Sequence, residues 1–395
     1  MKDKEIERLI KLEKTRQKKV TNLIASENYV SDDVLKALGS ELTNKYAEGY
    51  SAMRYYGGNL LSDKIEDLCK SRALKLFKLS PQRWAVNVQA LSGSPANLAV
   101  YFALLGADFA KGFIEPKKIM GMNLSDGGHL THGHKVSVTG KVWQPVQYGV
   151  DPKTETINYE VLKKLAKKEK PNIIVAGFTA YPRKIDFKKF REIADTCGAH
   201  LMVDMSHIAG LVAAGVHSSP FPYADVVTTT THKTLRGPRS ALIFSRIDER
   251  NISKLIDKAI FPGLQSGPHL NQIAAVAVAL KEAMNPEFKK YAKQVVRNAQ
   301  ALAKELKRLG WRIVSGGTDT HLLLVETLPS GGREAGEKLE KKGIIVNKNT
   351  IPGERRTPVD PSGIRIGTAA ETTRGKKEKD MISIARKIDK ILRNG

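Results

Sequence analysis

Between residues 172 and 245 the chain alternates short apolar runs with amphipathic ones, and this rhythm restricts its fold more than any other feature. NIIVAGF (172–178), HLMVDM (200–205), DVVTTT (225–230) and SALIFS (240–245) have strand length and are rich in β-branched residues. Between the first two lies DFKKFREIADTCG (186–198), whose apolar residues recur at helical spacing. Apolar strands separated by helices predict an α/β fold with a large, mainly parallel sheet covered by helices. An amphipathic helix is expected over 3–19, then a Tyr- and Gly-rich loop from Tyr46 to Gly58. A long helical stretch, 270–309, leads to a smaller α/β unit with strands HLLLVE (321–326), GIIV (343–346) and GIRIGT (363–368). The expected organisation is an N-terminal arm and helix (1–45), a large domain (46–275) and a small C-terminal domain (276–395).

Charge raises a question of partners. The chain carries 65 Lys and Arg against 41 Asp and Glu, a formal net charge of +24. Residues 1–20 hold eight basic and four acidic side chains, and residues 331–395 hold sixteen and nine, so the excess is spread rather than massed in one arm. With no recognition module beside it, this reads as solvated surface rather than a nucleic-acid interface. Cys69 and Cys197 are isolated, which argues against a disulfide framework and points to a reducing compartment. The first twenty residues contain no apolar signal core, and the best uncharged apolar run, Ile273 to Leu280, falls far short of the ~20 residues of a membrane span. A soluble, cytoplasmic protein is expected.

Four segments carry chemistry. In VVTTTTHKTLRGPR (226–239), a hydroxyl-rich strand runs into His232 and Lys233. A lysine at the end of a buried strand has a depressed pKa, and its neutral amine can form a Schiff base with an aldehyde; a plain surface lysine is the alternative. Asp204 ends LMVD and His207 follows, at the sheet edge where open α/β folds bind ligands. Such a carboxylate could hold a pyridinium nitrogen protonated, cap a helix or bind a metal. LSGSPA (91–96) opens an apolar helix, and its free N–H groups at Gly93 and Ser94 suit a phosphate as well as they suit ordinary capping. SDGGHLTHGH (125–134) sets His129, His132 and His134 around a glycine turn, either as metal ligands or with one imidazole stacked on a flat cofactor.

Taken in order, SGSxAN, GGHLTHG, VDMSHIAGL and TTTTHKTLRGPR resemble serine hydroxymethyltransferase, a fold type I enzyme dependent on pyridoxal phosphate. The likeness extends from LIASENY (23–29) through KYAEGY and RYYGG (45–58) to VNKNTIP (346–352) and GIRIGT (363–368), nearly the whole chain. It implies an aminotransferase-like fold, no bound metal and a homodimer with shared active sites. It also implies transfer of the serine hydroxymethyl carbon to tetrahydrofolate, giving glycine and 5,10-methylenetetrahydrofolate.

The same resemblance assigns roles. Lys233 would carry the Schiff base, His232 would tune specificity and Thr230 would assist exchange of the amino group. Asp204 would meet the pyridine nitrogen, His129 would stack on the ring and His207 would approach its phenolic oxygen. Gly93 and Ser94 would hold the phosphate, joined across a dimer interface by Tyr46 and Gly267. Arg365 would bind the substrate carboxylate in bidentate fashion. Ser26, Glu48 and Tyr56 would surround the hydroxymethyl group and Arg239 would order the site, with Glu48 handling protons at the hydroxyl and folate. Folate contacts would come from Leu124, Gly128, His129, Leu130, Phe261, Asn347, Thr357 and Pro358.

The chain departs from the family pattern in one loop. Many relatives read FPGGQGGP followed two residues later by His; here the run is FPGLQSGPHLN, with Leu264, Ser266 and Asn271 in place of Gly, Gly and His. Val359 also stands where many have Phe, and Thr179 where many have Ser. Gly267 is retained. Two rival functions remain: a folate-independent aldolase acting on threonine-like β-hydroxy amino acids, against which Glu48 and Asn347 speak, and an RNA-binding side function, whose affinity would be steeply salt-dependent.

Overall fold

The computed structural model describes residues 1–106 and 117–393. Seven strands form the large sheet: β1 Trp84–Asn87, β2 Lys118–Met122, β3 Gln144–Tyr148, β4 Ile173–Gly177, β5 His200–Asp204, β6 Val226–Thr230 and β7 Ala241–Arg246. Their spatial order is β1-β7-β6-β5-β4-β2-β3. β2 through β6 pair in parallel, whereas β7 runs antiparallel to both β6 and β1. The four predicted strands occur within a residue or so of their expected limits.

Burial on both faces explains why these strands lack polar alternation. Ile173, Val175, Met202 and Val226 pack on one side with Ala96, Ala99 and Val100 of the Gly93–Leu105 helix. Their neighbours Ile174, Ala176, Leu201, Val203 and Val227 face the other side, against Phe187, Phe190 and Ile193. Those three aromatics and aliphatics lie on one face of the Phe187–Asp195 helix, at the spacing a helix needs to bury a single stripe. Asp186 starts that helix, its side chain accepting from the Lys189 N–H at 3.1 Å.

Two expectations are corrected. The helical stretch 270–309 is two helices, Leu270–Ala283 and Pro286–Arg308, because a residue preceding proline is pushed out of the helical region and proline itself suits a helix start. Asn285 accordingly has φ −71° and ψ 145°. The small sheet comprises β8 Leu322–Glu326, β9 Asn347–Asn349 and β10 Gly363–Gly367, all antiparallel in the order β8-β10-β9. GIIV does not join it: Ile344–Ile345 pairs in parallel with Thr21–Asn22 from the N-terminal segment.

That N-terminal segment is drawn tightly into the C-terminal part. The Gly367 N–H donates to the Leu23 carbonyl at 2.8 Å, and a side chain at Gly367 would collide with the Ala25 backbone, so only glycine permits the approach. The Lys4–Lys19 helix forms as expected but buries none of its residues, leaving Ile6, Leu9, Ile10 and Leu12 exposed. No described helix is long and apolar enough to cross a membrane.

Candidate active site

Parallel strands deliver their last residues to one edge of the sheet, and here β5 ends in Asp204 and β6 in Thr230. The Gly93–Leu105 helix begins at the same edge. Its N-cap, Ser92, makes no side-chain capping bond, which leaves the first-turn N–H groups free. A Cβ on Gly93 would come within 2.6 Å of the Thr230 methyl, so glycine lets the helix start abut the strand. Around this edge lies a cavity of about 240 Å³, lined from the large sheet by Gly93, Ser94, Asp204, Thr230 and Lys233, and from the small sheet by Arg365.

Asp204 is the electrostatic centre of this cavity. Burial would raise its pKa, but hydrogen bonds outweigh that and hold the carboxyl well below the usual carboxylate range. One oxygen accepts from His132 Nε2 at 3.2 Å and from Asn97 Nδ2 at 2.8 Å; the other accepts from the Ser206 backbone N–H at 3.0 Å and hydroxyl at 2.5 Å. Asn97 is itself fixed, donating to Thr131 Oγ1 and accepting from the Thr228 hydroxyl at 2.7 Å.

Lys233 sits on the opposite side of the charge balance. Desolvation lowers its amine to about 8, with Asp204 pulling upward and Arg365 and Arg239 pushing down. Nζ donates to Thr230 Oγ1 at 2.7 Å. Burial likewise keeps the imidazoles neutral: His129 is brought down to about 4 and His232 to about 3. His129 Nδ1 receives the Thr131 backbone N–H at 3.2 Å, so in the neutral ring the proton rests on Nε2. Arg365 is 5 % exposed, and burial lowers its guanidinium to about 10. Among the described residues its partners are carbonyl oxygens only: Nε and Nη2 donate to Asn347 Oδ1 at 3.2 and 2.7 Å, and Nη1 to the Thr179 carbonyl at 2.8 Å.

The predicted residues fall into two groups. Ser26, Gly93, Ser94, His129, Asp204, His207, Thr230, His232, Lys233, Arg239 and Arg365 all line the one cavity. Tyr46, Glu48, Tyr56 and Gly267 gather instead on the surface. There the Glu48 N–H donates to Tyr56 Oη at 3.1 Å, and the Tyr46 and Tyr56 rings lie 6.2 Å apart. Gly267 lies against the Tyr46 ring, and Ser266 Oγ contacts both Tyr46 Oη, at 2.8 Å, and Glu48 Oε1.

The residues expected to meet folate are more dispersed. Leu130 and Leu264 line an apolar cavity of about 510 Å³ that shares Ser94 and His129 with the first. Leu124 offers its carbonyl to the Thr350 hydroxyl at 3.5 Å, and Gly128 donates its N–H to the Asn123 carbonyl at 2.8 Å. Phe261 packs edge-on against Tyr55, while Thr357 and Pro358 occupy an exposed turn. Asn347 serves as the seat of Arg365.

Sequence reasoning missed the residues that build the Asp204 environment. The motif offers His132 as a metal ligand or a stacking ring, neither of which anticipates Asp204, and the hydrogen bonds of its three histidines diverge: His129 to Thr131, His132 to Asp204, and His134 Nδ1 to the Val136 N–H at 3.4 Å. Asn97 and Ser206 were visible as polar residues inside apolar surroundings, the one available signal.

A cavity containing free helix N–H groups, an ionised buried carboxylate, a depressed lysine amine and a guanidinium with no carboxylate partner among the described residues fits a flat, phosphate-bearing aldehyde and an amino acid carboxylate. A family model described as serine hydroxymethyltransferase matches residues 1–388. The chain therefore belongs to the serine hydroxymethyltransferase family, whose members are pyridoxal phosphate-dependent glycine hydroxymethyltransferases.

Proposed function

We propose that the chain transfers the hydroxymethyl carbon of serine reversibly to tetrahydrofolate, leaving glycine and 5,10-methylenetetrahydrofolate. The observation that supports this most directly is the opposition of Lys233, its amine lowered to about 8, to the ionised Asp204 in one cavity. Lys233 Nζ is the amine that would hold the cofactor's aldehyde, with the Thr230 hydroxyl fixing its position. Gly93 and Ser94 would bind the phosphate through the helix N-terminus, Asp204 would keep a proton on the ring nitrogen, His129 would cover the ring face and His207 would meet the phenolic oxygen. Pyridoxal phosphate, when bound, supplies the electron sink for bond breaking at the substrate Cα.

Arg365 would take the serine carboxylate as a bidentate fork, pre-aimed by Asn347 and the Thr179 carbonyl. Ser26, Glu48 and Tyr56 would surround the hydroxymethyl group, and Glu48 would move the proton at its oxygen. His232 would tune specificity beside the lysine and Arg239 would order the cavity mouth. Because Tyr46, Glu48, Tyr56 and Gly267 lie outside the cavity, we take the site to be completed in a homodimer, where Tyr46 and Gly267 reach the phosphate. The apolar cavity at Leu130 would take the pterin, with Leu124, Gly128, Phe261, Thr357 and Pro358 around its path. The division into an arm (1–45), a large domain (46–275) and a small domain (276–395) then makes the cavity an inter-domain site. Two free thiols, Cys69 and Cys197, support a reducing, cytoplasmic setting.

The test is serine cleavage by the purified protein with and without tetrahydrofolate. Strong stimulation by the pterin is expected; a rate indifferent to it would transfer the reading to a folate-independent aldolase.

A further inference from the structure

Lys233 opens a tight turn whose carbonyl accepts the Arg236 N–H at 3.1 Å, while Arg236 itself adopts φ 60°. A left-handed conformation at a residue other than glycine is unfavourable, so such a turn persists only where its surroundings fix it. Two side chains do so here. Asn28 Nδ2 donates to the Lys233 carbonyl at 2.9 Å and to Tyr291 Oη at 2.8 Å, and Tyr291 Oη donates in turn to the Thr234 carbonyl at 3.3 Å. The Arg236 guanidinium lies over the Tyr291 ring, 4.6 Å from its centre.

The other end of the Asn28 amide meets the C-terminal part of the chain. Its Oδ1 accepts the Thr373 hydroxyl at 2.7 Å and the Tyr29 N–H at 2.9 Å, so both amide hydrogens and both lone pairs are used. The orientation of the amide is fixed by its backbone partners. The Lys233 carbonyl can only accept and the Tyr29 N–H can only donate, and exchanging the amide oxygen and nitrogen would oppose two acceptors at one end and two donors at the other. Thr373 ends the short Ala369–Thr373 helix that follows β10, the strand of Arg365. One side chain therefore joins the Lys233 backbone to the element beside Arg365, across 205 residues of sequence in one direction and 345 in the other.

We propose that Asn28 is a positioning residue that holds the Lys233 turn in register with Arg365, so that Nζ and the guanidinium meet one substrate from fixed directions. Asn28 acts through the Lys233 carbonyl, whereas Ser26, two residues earlier, lines the cavity directly. The proposal rests on the functional reading above for the roles of Lys233 and Arg365; the tether itself is a property of the chain alone. A reacting amine displaced by about an ångström loses rate steeply even where binding survives, and this is the loss that the tether prevents.

The experiment compares Asn28→Ala, Thr373→Val and Thr373→Ser with wild type in the full-length protein. In the cofactor-free state, reductive methylation with formaldehyde, read by mass spectrometry on the peptide bearing Lys233, reports the protonation of Nζ. The wild-type rate should reach half its plateau near pH 8. Asn28→Ala should move that midpoint upward by about one pH unit, because a freed turn admits water and relieves the desolvation that lowers the amine, with Asp204, Arg365 and Arg239 still facing it. Thr373→Val, which removes only the hydroxyl at the far end, should move it the same way by about half as much, and Thr373→Ser should leave it in place. With pyridoxal phosphate bound, Asn28→Ala should lose about tenfold in kcat for serine cleavage while KM for serine stays within about threefold.

An unmoved midpoint in Asn28→Ala, whatever its resistance to urea, overturns the proposal, since a merely structural residue would lower stability without changing the amine. A shift in Asn28→Ala that Thr373→Val does not share overturns it too, because the link to the Arg365 side would then carry nothing. Should Asn28→Ala fail to fold, Thr373→Val against Thr373→Ser decides the question alone. Absence of serine cleavage in a wild type that shows these midpoints counts against the proposed function and leaves the tether standing.

Discussion

The Lys233 cavity and the Tyr46–Glu48–Tyr56 surface are built on opposite plans. In the cavity, each oxygen of Asp204 has two donors and Arg365 is seated by two carbonyl oxygens, all under cover of the two sheets. On the surface, Glu48 is held by the Ser266 hydroxyl, Tyr46 is 56 % exposed and Tyr55 72 %. Exposure there is not looseness. The buried Arg54 donates to the Ala47 and Gly49 carbonyls at 2.9 and 2.6 Å and pairs with Asp63 and Glu66, so the loop that displays Glu48 is clamped from beneath. One chain thus completes the electrostatics of the cavity by itself but presents its tyrosines and Glu48 outward on a rigid support, as the proposed dimeric site would need.

Substitutions should separate the two regions. The largest effect is expected at Lys233→Ala: serine turnover should fall by roughly a thousandfold or more, since no other amine in the cavity can replace Nζ. Steady-state assays check this, and a wild-type rate would overturn the assignment of the lysine. The lowered pKa adds a sign. Below about pH 8 the amine is mostly protonated and cannot attack an aldehyde, so the rate of pyridoxal phosphate uptake by the apoprotein should rise about tenfold per pH unit up to that value and level off above it. A pH-independent uptake rate between 6 and 8 would count against a depressed Lys233.

Next in size is Glu48→Gln, which should keep cofactor binding within about twofold of wild type and lose roughly a hundredfold or more of folate-dependent serine cleavage. Spectroscopic titration with pyridoxal phosphate and the cleavage assay report the two halves independently. If cofactor affinity fell in step with cleavage, the division between cavity and surface would fail.

How much of this was legible beforehand depended on range along the chain. Lys233, Asp204, His129 and Gly93 sit in contiguous motifs, and the strands that present them betray themselves by apolar runs buried on both faces. The break at Asn285–Pro286 was also written locally, although the surrounding helical periodicity masked it. By contrast, Asn97 meets Asp204 across 107 residues and His321 meets His207 across 114. Nothing near either residue in sequence announces its partner. Ile344–Ile345 found its mate at Thr21–Asn22, a pairing two residues long and too short to leave a pattern. Local chemistry was readable, whereas the hydrogen bonds that tune it depend on how distant segments meet.

Asn347 tests whether small-sheet residues serve the cavity or the pterin. With its Oδ1 accepting twice from Arg365, Asn347→Ala should loosen the guanidinium and raise KM for serine about tenfold, the value of one charge-assisted hydrogen bond, with a smaller change in KM for tetrahydrofolate. The opposite ratio would make Asn347 a folate contact.

The smallest effect belongs to Ser266, where many relatives carry glycine. Its hydroxyl lies 2.8 Å from Tyr46 Oη and also contacts Glu48 Oε1, so it couples a residue assigned to the phosphate with one assigned to the hydroxymethyl group. Ser266 is exposed, and an exposed neutral hydroxyl contributes about 1 kcal/mol at most through such bonds. Ser266→Gly should therefore change folate-dependent cleavage by no more than about fivefold and leave cofactor affinity unaltered, because water can replace the hydroxyl at an open surface. Ser266→Thr should behave as wild type. A loss of cofactor affinity in the glycine variant would show that the surface cluster reaches the phosphate through Ser266, and the two regions would then form one connected network rather than two halves.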